Sequence, residues 1–205
     1  MQIITITGPS CSGKNRLLTE LLATGLFRRI ISDTSRPMRT GEVQGSDYYF
    51  KSKEEIREGI KNGLYVDHVN FKGHLYGIRK EELDGALTGS LVTNQMPIMI
   101  VEPTGVRNLL DWCNENSYDV YSIHLTAPVT LLVSRYLERA RHDLFNDIEY
   151  SSERICNILH EFQTWPKAMY DLGVKFTTIT STEPEDLRNA VTKIVTTIGV
   201  NNDNS

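Results

Sequence analysis

The chain has 205 residues, of which 40% are hydrophobic and 23% are charged, and its formal net charge is −4 at pH 7. This length suits one globular domain with a single buried core rather than two domains. No apolar run approaches the roughly 20 residues that cross a bilayer, so a membrane-spanning protein is not predicted. The negative net charge argues against a general nucleic-acid binder.

Three cysteines, Cys11, Cys113 and Cys156, form no CxxC pair and are odd in number, so neither a zinc site nor a disulfide framework is predicted. The first residues lack the basic region and long apolar segment of a secretion signal. We therefore expect a cytoplasmic protein that binds neither membrane nor nucleic acid. The oligomeric state stays open, with a homodimer among the alternatives.

In chain order, the predicted elements alternate between strands and helices. β-branched residues predict a strand at 2–7, and leucines at helical spacing predict a helix over 14–23. A polar loop with an aromatic strand, a short helix closed by Gly63 and a hairpin turning at Gly73 follow. The remaining elements are a helix at 80–90, strands at 97–101 and 120–125 with a crossover helix at 105–116, helices at 127–142 and 151–173, a strand at 175–180 and a helix at 183–199. Pro166 predicts a kink or a break in its helix.

This order predicts an α/β fold: a doubly wound parallel sheet carrying an antiparallel insertion. We expect one domain over 1–199 with a polar tail at 200–205. Its predicted parts are a core (1–31, 86–134 and 156–199), an insertion that binds the acceptor (32–85) and a helical lid (135–155).

The stretch GPSCSGKN, residues 8–15, matches the GxxxxGK pattern of a phosphate-binding loop. A predicted strand precedes it and a helix follows, as in P-loop NTPases. Backbone N–H groups and the helix N-terminus would surround the phosphates of ATP, and Lys14 would neutralise the β- and γ-phosphates. The predicted donor-binding residues are Gly8, Pro9, Ser10, Cys11, Ser12, Gly13, Lys14 and Asn15. The alternative is an ordinary glycine-rich turn with a solvated lysine.

Asn15 stands where such loops carry Ser or Thr. Its amide oxygen is a candidate ligand for Mg²⁺, although the longer side chain predicts weaker binding or binding through water. Because Mg²⁺ relies mainly on water and substrate phosphates, this change is compatible with catalysis.

Two further groups of arginines are candidates for phosphate chemistry. Arg36 and Arg39, with Ser32 and Tyr48 nearby, can grip a dianionic phosphate, whereas the alternative is a solvated basic loop. Further along the chain lie Arg135 and Arg139, one helical turn apart, and Arg154 at the start of the next helix. The alternative for the second group is a solvated helix face paired with Glu138 and Glu153.

The motifs GPSxSGK, SxTxRPxRxGEVxGxDYxF and FxGxxYG resemble the guanylate kinases, in order from residue 3 to about 195. This resemblance implies transfer of the ATP γ-phosphoryl group to GMP or dGMP, with Mg²⁺. It also implies that the acceptor phosphate is held by Ser32, Arg36, Arg39, Tyr48 and Tyr76. The implied catalytic residues are Lys14, Arg36, Arg39, Arg135, Arg139 and Arg154.

The base pocket departs from the family pattern. Asp67 stands where the family has a Glu that binds guanine, and Ile78 replaces a Ser. IVEPTG replaces DxDxxG, which leaves Ile100 for the first acid and Glu102 for the second. Such changes can alter base preference by about 10–200-fold. We therefore expect the acceptor to be a guanine-like nucleotide, such as a deoxy or modified purine, that this pocket binds through contacts different from those of the family. The alternatives are a binding module without turnover and a kinase for another deoxynucleoside monophosphate.

Overall fold

The computed structural model describes residues 2–71, 73–140 and 148–198. Within these ranges the chain forms nine strands and seven helices. The elements are β1 (Gln2–Thr7), α1 (Lys14–Ala23), β2 (Phe27–Arg29), β3 (Asp33–Thr34), β4 (Tyr49–Phe50), α2 (Lys53–Lys61), β5 (Tyr65–Phe71), β6 (His74–Arg79), α3 (Lys80–Thr93), β7 (Met96–Ile100), α4 (Pro103–Asn116), β8 (Asp119–Thr126), α5 (Val129–Arg139), α6 (Ile148–Asp171), β9 (Lys175–Thr180) and α7 (Pro184–Thr197).

Five strands form one sheet in the order β2-β7-β1-β8-β9. β2 pairs with β7 and β8 pairs with β9, both in parallel, as in strands joined by crossover helices. The isoleucines of β1, Ile3, Ile4 and Ile6, are fully buried, which agrees with an interior strand that is covered on both faces. The predicted α/β fold with a parallel sheet is therefore confirmed.

A second sheet has the strand order β4-β3-β6-β5. Its pairs β3·β6 and β5·β6 are antiparallel, and the predicted hairpin turns at Gly73, whose φ is 73°. However, β3 and β4 pair in parallel. The connection over 35–48 returns the chain to run alongside β3 in the same direction, so the insertion is mixed rather than wholly antiparallel.

Helix α6 continues through Pro166, so of the two predicted alternatives the break is wrong and the kink stays a prediction. A proline inside a helix removes one backbone hydrogen bond. Buried side chains lie on both sides of it, with Ile158 and Glu161 before the proline and Met169 after it. Because burial of a helix face contributes more than any single hydrogen bond, this packing keeps the helix continuous.

The internal contacts of the chain divide it into two compact units. The first comprises Met1–Ile4, Phe27–Met99 and Thr104–Val120, and the second comprises Thr5–Leu26, Ile100–Pro103 and the described part of Tyr121–Ser205. The subdivision into core, insertion and lid stays a prediction. Within the predicted lid, residues 141–147 lie outside the described residues, as does the tail at 200–205. Among the helices of the described ranges, none has both the length and the apolar character needed to cross a membrane.

A buried aspartate joins the strands of the second sheet. Asp33 on β3 is fully buried and accepts a hydrogen bond from the Tyr65 hydroxyl at 2.6 Å. It also contacts Arg79 Nε at 3.0 Å and Lys51 Nζ at 2.8 Å. Burial and the hydrogen bond to Asp33 raise the pKa of Tyr65. Asp33 therefore holds β3 to β5 and β6 directly beside Ser32 and Arg36.

We expect Asp33→Ala to lower the free energy of unfolding by about 3 kcal/mol, because it leaves two partly buried cations without their carboxylate. Urea denaturation followed by circular dichroism would measure this change. The control is Asp84→Ala, which removes an exposed aspartate of α3 and should change stability by less than about 0.5 kcal/mol. Equal losses in the two variants would contradict the proposed role of Asp33.

Candidate active site

The loop at 8–13 connects the end of β1 to the start of α1. Gly8 has φ 143°, and a Cβ at this position would lie 1.9 Å from the carbonyl oxygen of Leu125 on β8. Gly13 has φ 100° and precedes the first residue of α1, Lys14. Both conformations favour glycine, so the loop requires the two glycines that the motif contains. The helix N-terminus and the loop amides are thereby directed to one place.

The polar pairs behind the loop lie between β1 and β8. Thr5 Oγ1 and Ser122 Oγ are 2.6 Å apart, and Thr7 Oγ1 lies 3.0 Å from His124 Nδ1. All four residues are buried. Burial lowers the pKa of His124 to about 4, and the nearby charge of Lys14 contributes to the shift. The imidazole is therefore neutral at neutral pH.

Lys14 folds back over its own loop. Its Nζ donates hydrogen bonds to the carbonyl oxygens of Gly8 at 2.7 Å and Pro9 at 2.9 Å. Burial lowers the pKa of Lys14 to about 8, while the carboxylate of Glu161 acts in the opposite direction. The ammonium is accordingly charged below about pH 8 and lies against the loop that the motif assigns to phosphates.

The loop lines a cleft of about 370 Å³ together with arginines from two later helices. The lining residues are Ser10, Cys11, Gly13, Lys14, Asn15, Arg16, Arg135, Arg139 and Arg154. The structure thus brings the predicted loop and the three predicted lid arginines together in one cleft. Five of the nine lining residues are cationic, so the cleft favours a polyanion.

All three arginines contact the loop at 8–13. Arg135 Nη1 lies 3.4 Å from the carbonyl oxygen of Cys11, and Arg139 Nη2 lies 3.4 Å from the Cys11 sulfur. Arg154 Nη2 donates to Ser10 Oγ at 2.6 Å. These contacts turn the arginines toward the loop, which favours the phosphate interpretation over a solvated helix face.

Cys11 adopts a conformation that is uncommon for a residue with a side chain. Its φ is 67°, in the left-handed region, which costs about 1–3 kcal/mol for a residue other than glycine. Its side chain packs against the buried cluster of Ala127, Leu132, Tyr136 and Ile158. The loop is therefore joined by packing to α5 and α6, which carry the three arginines.

Glu161 is a functional candidate that the sequence analysis did not identify. Its Oε2 accepts a hydrogen bond from the backbone N–H of Ser10 at 2.6 Å. A signal was present in the sequence, since Glu161 follows Arg154 by seven residues, which places both on one face of a helix. Only the structure shows that this face contacts the loop.

The predicted acceptor residues lie in the first unit. Arg36 forms two hydrogen bonds to the carboxylate of Glu42, at 2.8 and 3.0 Å, and its guanidinium lies 5.5 Å from the centre of the Tyr48 ring. The hydrogen bonds between the two residues raise the pKa of Arg36 and lower that of Glu42. The rings of Tyr48 and Tyr76 lie 6.0 Å apart, edge to face.

The structure therefore brings Arg36, Tyr48 and Tyr76 together, and it adds Glu42, which the sequence analysis did not assign a role. The side chain of Arg39 is exposed, and its backbone N–H donates to Glu42 at 2.8 Å. The carbonyl oxygen of Ser32 accepts a hydrogen bond from the Tyr49 backbone.

The predicted base-reading residues are partly assembled in the same unit. Asp67 on β5 lies opposite Ile78 on β6, and Ile78 is buried. Asn108 on α4 donates a hydrogen bond from Nδ2 to Asp67 Oδ1 at 2.6 Å, which fixes the plane of the carboxylate. Glu102 belongs to the second unit, where burial lowers the pKa of Lys14 and the charge of Glu102 opposes that shift.

The residues of the cleft fit a magnesium ion that is held mainly by phosphates. In the described ranges, no group of three or more His, Cys, Asp or Glu residues is arranged to hold a metal ion. Asn15 is exposed at the start of α1, where its amide oxygen can serve as one ligand. Mg²⁺ commonly takes its other ligands from water and nucleotide phosphates, so this donor set is sufficient.

Comparisons with known proteins identify the family. A model of the guanylate kinase family matches residues 1–172. Guanylate kinase from Homo sapiens is 36% identical over 108 residues, which cover 52% of this chain and 53% of the human protein. Guanylate kinase from Clostridium tetani is 40% identical over 81 residues, or 40% of this chain and 39% of that protein. The chain thus spans about half the length, or less, of these curated relatives.

A solved structure supports the fold. The crystal structure of guanylate kinase from Anaplasma phagocytophilum matches with a TM-score of 0.63 and covers 98% of this chain and 87% of that chain. The sequence identity is 18%, so this likeness shows the shared fold alone.

The buried His124 predicts a pH-dependent stability. Between pH 6.5 and 4 the unfolded chain binds a proton at this histidine while the folded chain does not, so the free energy of unfolding falls by about 3 kcal/mol as the pH drops. We expect His124→Gln to remove this part of the acid destabilisation, as measured by urea denaturation at pH 7, 5.5 and 4. His68→Gln, at an exposed site, is the control and should retain the wild-type dependence. An unchanged slope in His124→Gln would contradict the assignment.

Proposed function

The chain belongs to the guanylate kinase family, and we propose that it transfers the γ-phosphoryl group of ATP to a guanine nucleoside monophosphate, GMP or dGMP, to form the diphosphate. The observation that carries this proposal is the cleft in which the loop meets arginines from α5 and α6. Such a concentration of fixed positive charge suits a transferring phosphoryl group, because positioning and electrostatic stabilisation supply most of the catalysis in this reaction.

The donor phosphates would be held by the loop amides, the N-terminus of α1 and Lys14. Lys14 now bonds to the carbonyl oxygens of Gly8 and Pro9, which lie in the same loop, so a small rotation of its side chain would direct the ammonium to a phosphate. A phosphate is the stronger partner because both groups are charged. Mg²⁺, with Asn15 as its one protein ligand, would neutralise phosphate charge and orient the donor.

Arg135, Arg139 and Arg154 would stabilise the charge that spreads over the transferring group. Each lines the cleft, and each forms a hydrogen bond to the loop. Arginines in this role contribute about 10³–10⁵-fold to the rate in related phosphoryl transfers. Their retention supports a kinase over a module that only binds.

The acceptor phosphate would be held by Ser32, Arg36, Arg39, Tyr48 and Tyr76. Glu42 fixes the guanidinium of Arg36 in one plane, and the Tyr48 ring limits its movement. An arginine that is already ordered loses less side-chain entropy when it binds a phosphate. The guanidinium of Arg36 is therefore already ordered before a dianionic phosphate binds.

Asp67 would accept hydrogen bonds from the base. The bond from Asn108 holds one carboxylate oxygen, so the other oxygen is presented in a defined direction. The shorter Asp67 and the apolar Ile78 support our proposal that the acceptor is a guanine-like nucleotide that is read differently, such as a deoxy or modified purine. The cytoplasmic location and the homodimer stay predictions.

The test of the function is a panel of ribo- and deoxynucleoside monophosphates, including modified purines, incubated with ATP and Mg²⁺ and analysed for diphosphates by chromatography. We expect GMP, dGMP or a related purine nucleotide to be converted, and Lys14→Ala to lower kcat at least about 100-fold through loss of its charge on the β- and γ-phosphates.

The control for this experiment is Lys193→Ala, which removes an exposed lysine of α7 and should retain full activity. If only a monophosphate with a different base is converted, the acceptor assignment is wrong but the assignment of phosphoryl transfer is kept. ATP binding without any product would contradict the proposal and favour the binding module, for which Asn15 and Ile100 provide the sequence argument.

Asn108→Ala tests the base-reading assignment. Loss of a hydrogen bond to a charged group should raise the KM for the acceptor about tenfold, while the KM for ATP stays within twofold. Steady-state kinetics with each substrate varied in turn would measure both values. Asn114→Ala, at an exposed position of the same helix, is the matched control. Equal changes in both KM values would show that Asn108 acts on the fold rather than on the acceptor.

A further inference from the structure

Glu161 is a charged residue in a buried position. Only 7% of its surface is exposed, although it lies in the middle of helix α6. A buried carboxylate is costly unless hydrogen bonds and opposite charge compensate it. The contacts of Glu161 show which groups provide that compensation.

Glu161, Arg154 and the loop residue Ser10 all contact one another. The carboxylate of Glu161 accepts the Ser10 backbone N–H at 2.6 Å, and its other oxygen lies 4.0 Å from Arg154 Nη1. Arg154 in turn donates from Nη2 to Ser10 Oγ at 2.6 Å. Ser10 is thus held by its backbone and by its side chain from one face of one helix.

The two partners of Glu161 line the cleft. Ser10 and Arg154 both contribute to its surface, and the other cationic residues of the cleft include Lys14, Arg135 and Arg139. Cations that converge on one space repel one another when no anion is bound. A fixed carboxylate beside Arg154 offsets part of this repulsion and limits the directions in which the guanidinium can point.

We propose that Glu161 is a positioning residue of the donor site, which holds Ser10 and Arg154 in the arrangement that receives the phosphates of ATP. This inference rests on the function proposed above, because it assigns the cleft to a nucleotide triphosphate. Glu161 does not itself donate to a phosphate, since a carboxylate is only a hydrogen-bond acceptor. It acts through the two residues that it orders.

The experiment compares Glu161→Gln and Glu161→Ala with matched variants at Glu153, an exposed acid of the same helix. Isothermal titration calorimetry with ATP and Mg²⁺ measures the Kd, and steady-state kinetics measure kcat and both KM values. Circular dichroism melting shows how much of each variant is folded. The Gln variant keeps an oxygen that can accept the Ser10 N–H but loses the charge. If the Ala variant fails to fold, the Gln variant provides the test.

We expect Glu161→Ala to raise the Kd for ATP at least about tenfold and to lower kcat, while the KM for the acceptor stays within twofold. Glu161→Gln should lie between Glu161→Ala and the wild type. The Glu153 variants should match the wild type in every measurement. Arg154→Ala combined with Glu161→Gln should cost less than the sum of the two single changes, because both residues act on Ser10.

A purely structural role for Glu161 gives a different result. If its variants melt at lower temperature but bind ATP with the wild-type Kd, the proposal is wrong. Calorimetry needs no turnover, so a wild-type protein that binds ATP but converts no acceptor would refute the proposed kinase activity alone. In that case a raised Kd in the Glu161 variants would still support the positioning role. A wild-type protein that does not bind ATP would overturn both.

Discussion

The close approach of the Gly8 backbone to the Leu125 carbonyl of β8 is the constraint on which the candidate site depends. Only a residue without Cβ fits there, and the left-handed turns at Cys11 and Gly13 then carry the chain from β1 into α1. The N-terminus of α1 and the loop amides consequently converge beside β8. Buried polar pairs, such as Thr7 with His124, hold β1 and β8 together behind the loop.

In the second unit, charged side chains from later helices surround this loop, and their charges partly balance one another. Arg135, Arg139 and Arg154 come from α5 and α6, and the packing of Cys11 on the apolar cluster of the same two helices fixes their distance from the loop. Glu161 supplies the opposite charge. A site that concentrates cations without a ligand needs such compensation, since burying unpaired charge is costly.

In the first unit too, carboxylates order cationic side chains, but the residues are different. Glu42 orders Arg36 through two hydrogen bonds, and Asp33, on β3 of the second sheet, contacts Lys51, Tyr65 and Arg79. In each case a carboxylate determines where a cationic side chain points. Arg36, a predicted phosphate-binding residue, is thereby ordered by the carboxylate of Glu42, which has no N–H to donate to a phosphate.

The sequence by itself determined the seven helices of the described ranges and seven of their nine strands, but not β2 and β3. It also determined the glycine-rich loop and the classes of residue that could bind phosphate, because these depend on local periodicity and on short motifs such as GPSCSGKN. It did not reveal Glu161, Glu42 or Asn108 as partners of the site, nor the parallel pairing of β3 with β4, nor the continuity of α6 through Pro166. The roles of Glu161 and Asn108 and the pairing of β3 with β4 depend on contacts between residues distant in the chain, the role of Glu42 on how its loop folds, and the continuity of α6 on packing across a helix. Local periodicity does not show such contacts, and the seven-residue spacing of Arg154 and Glu161 indicates only a shared helix face. Only the tertiary structure could decide them.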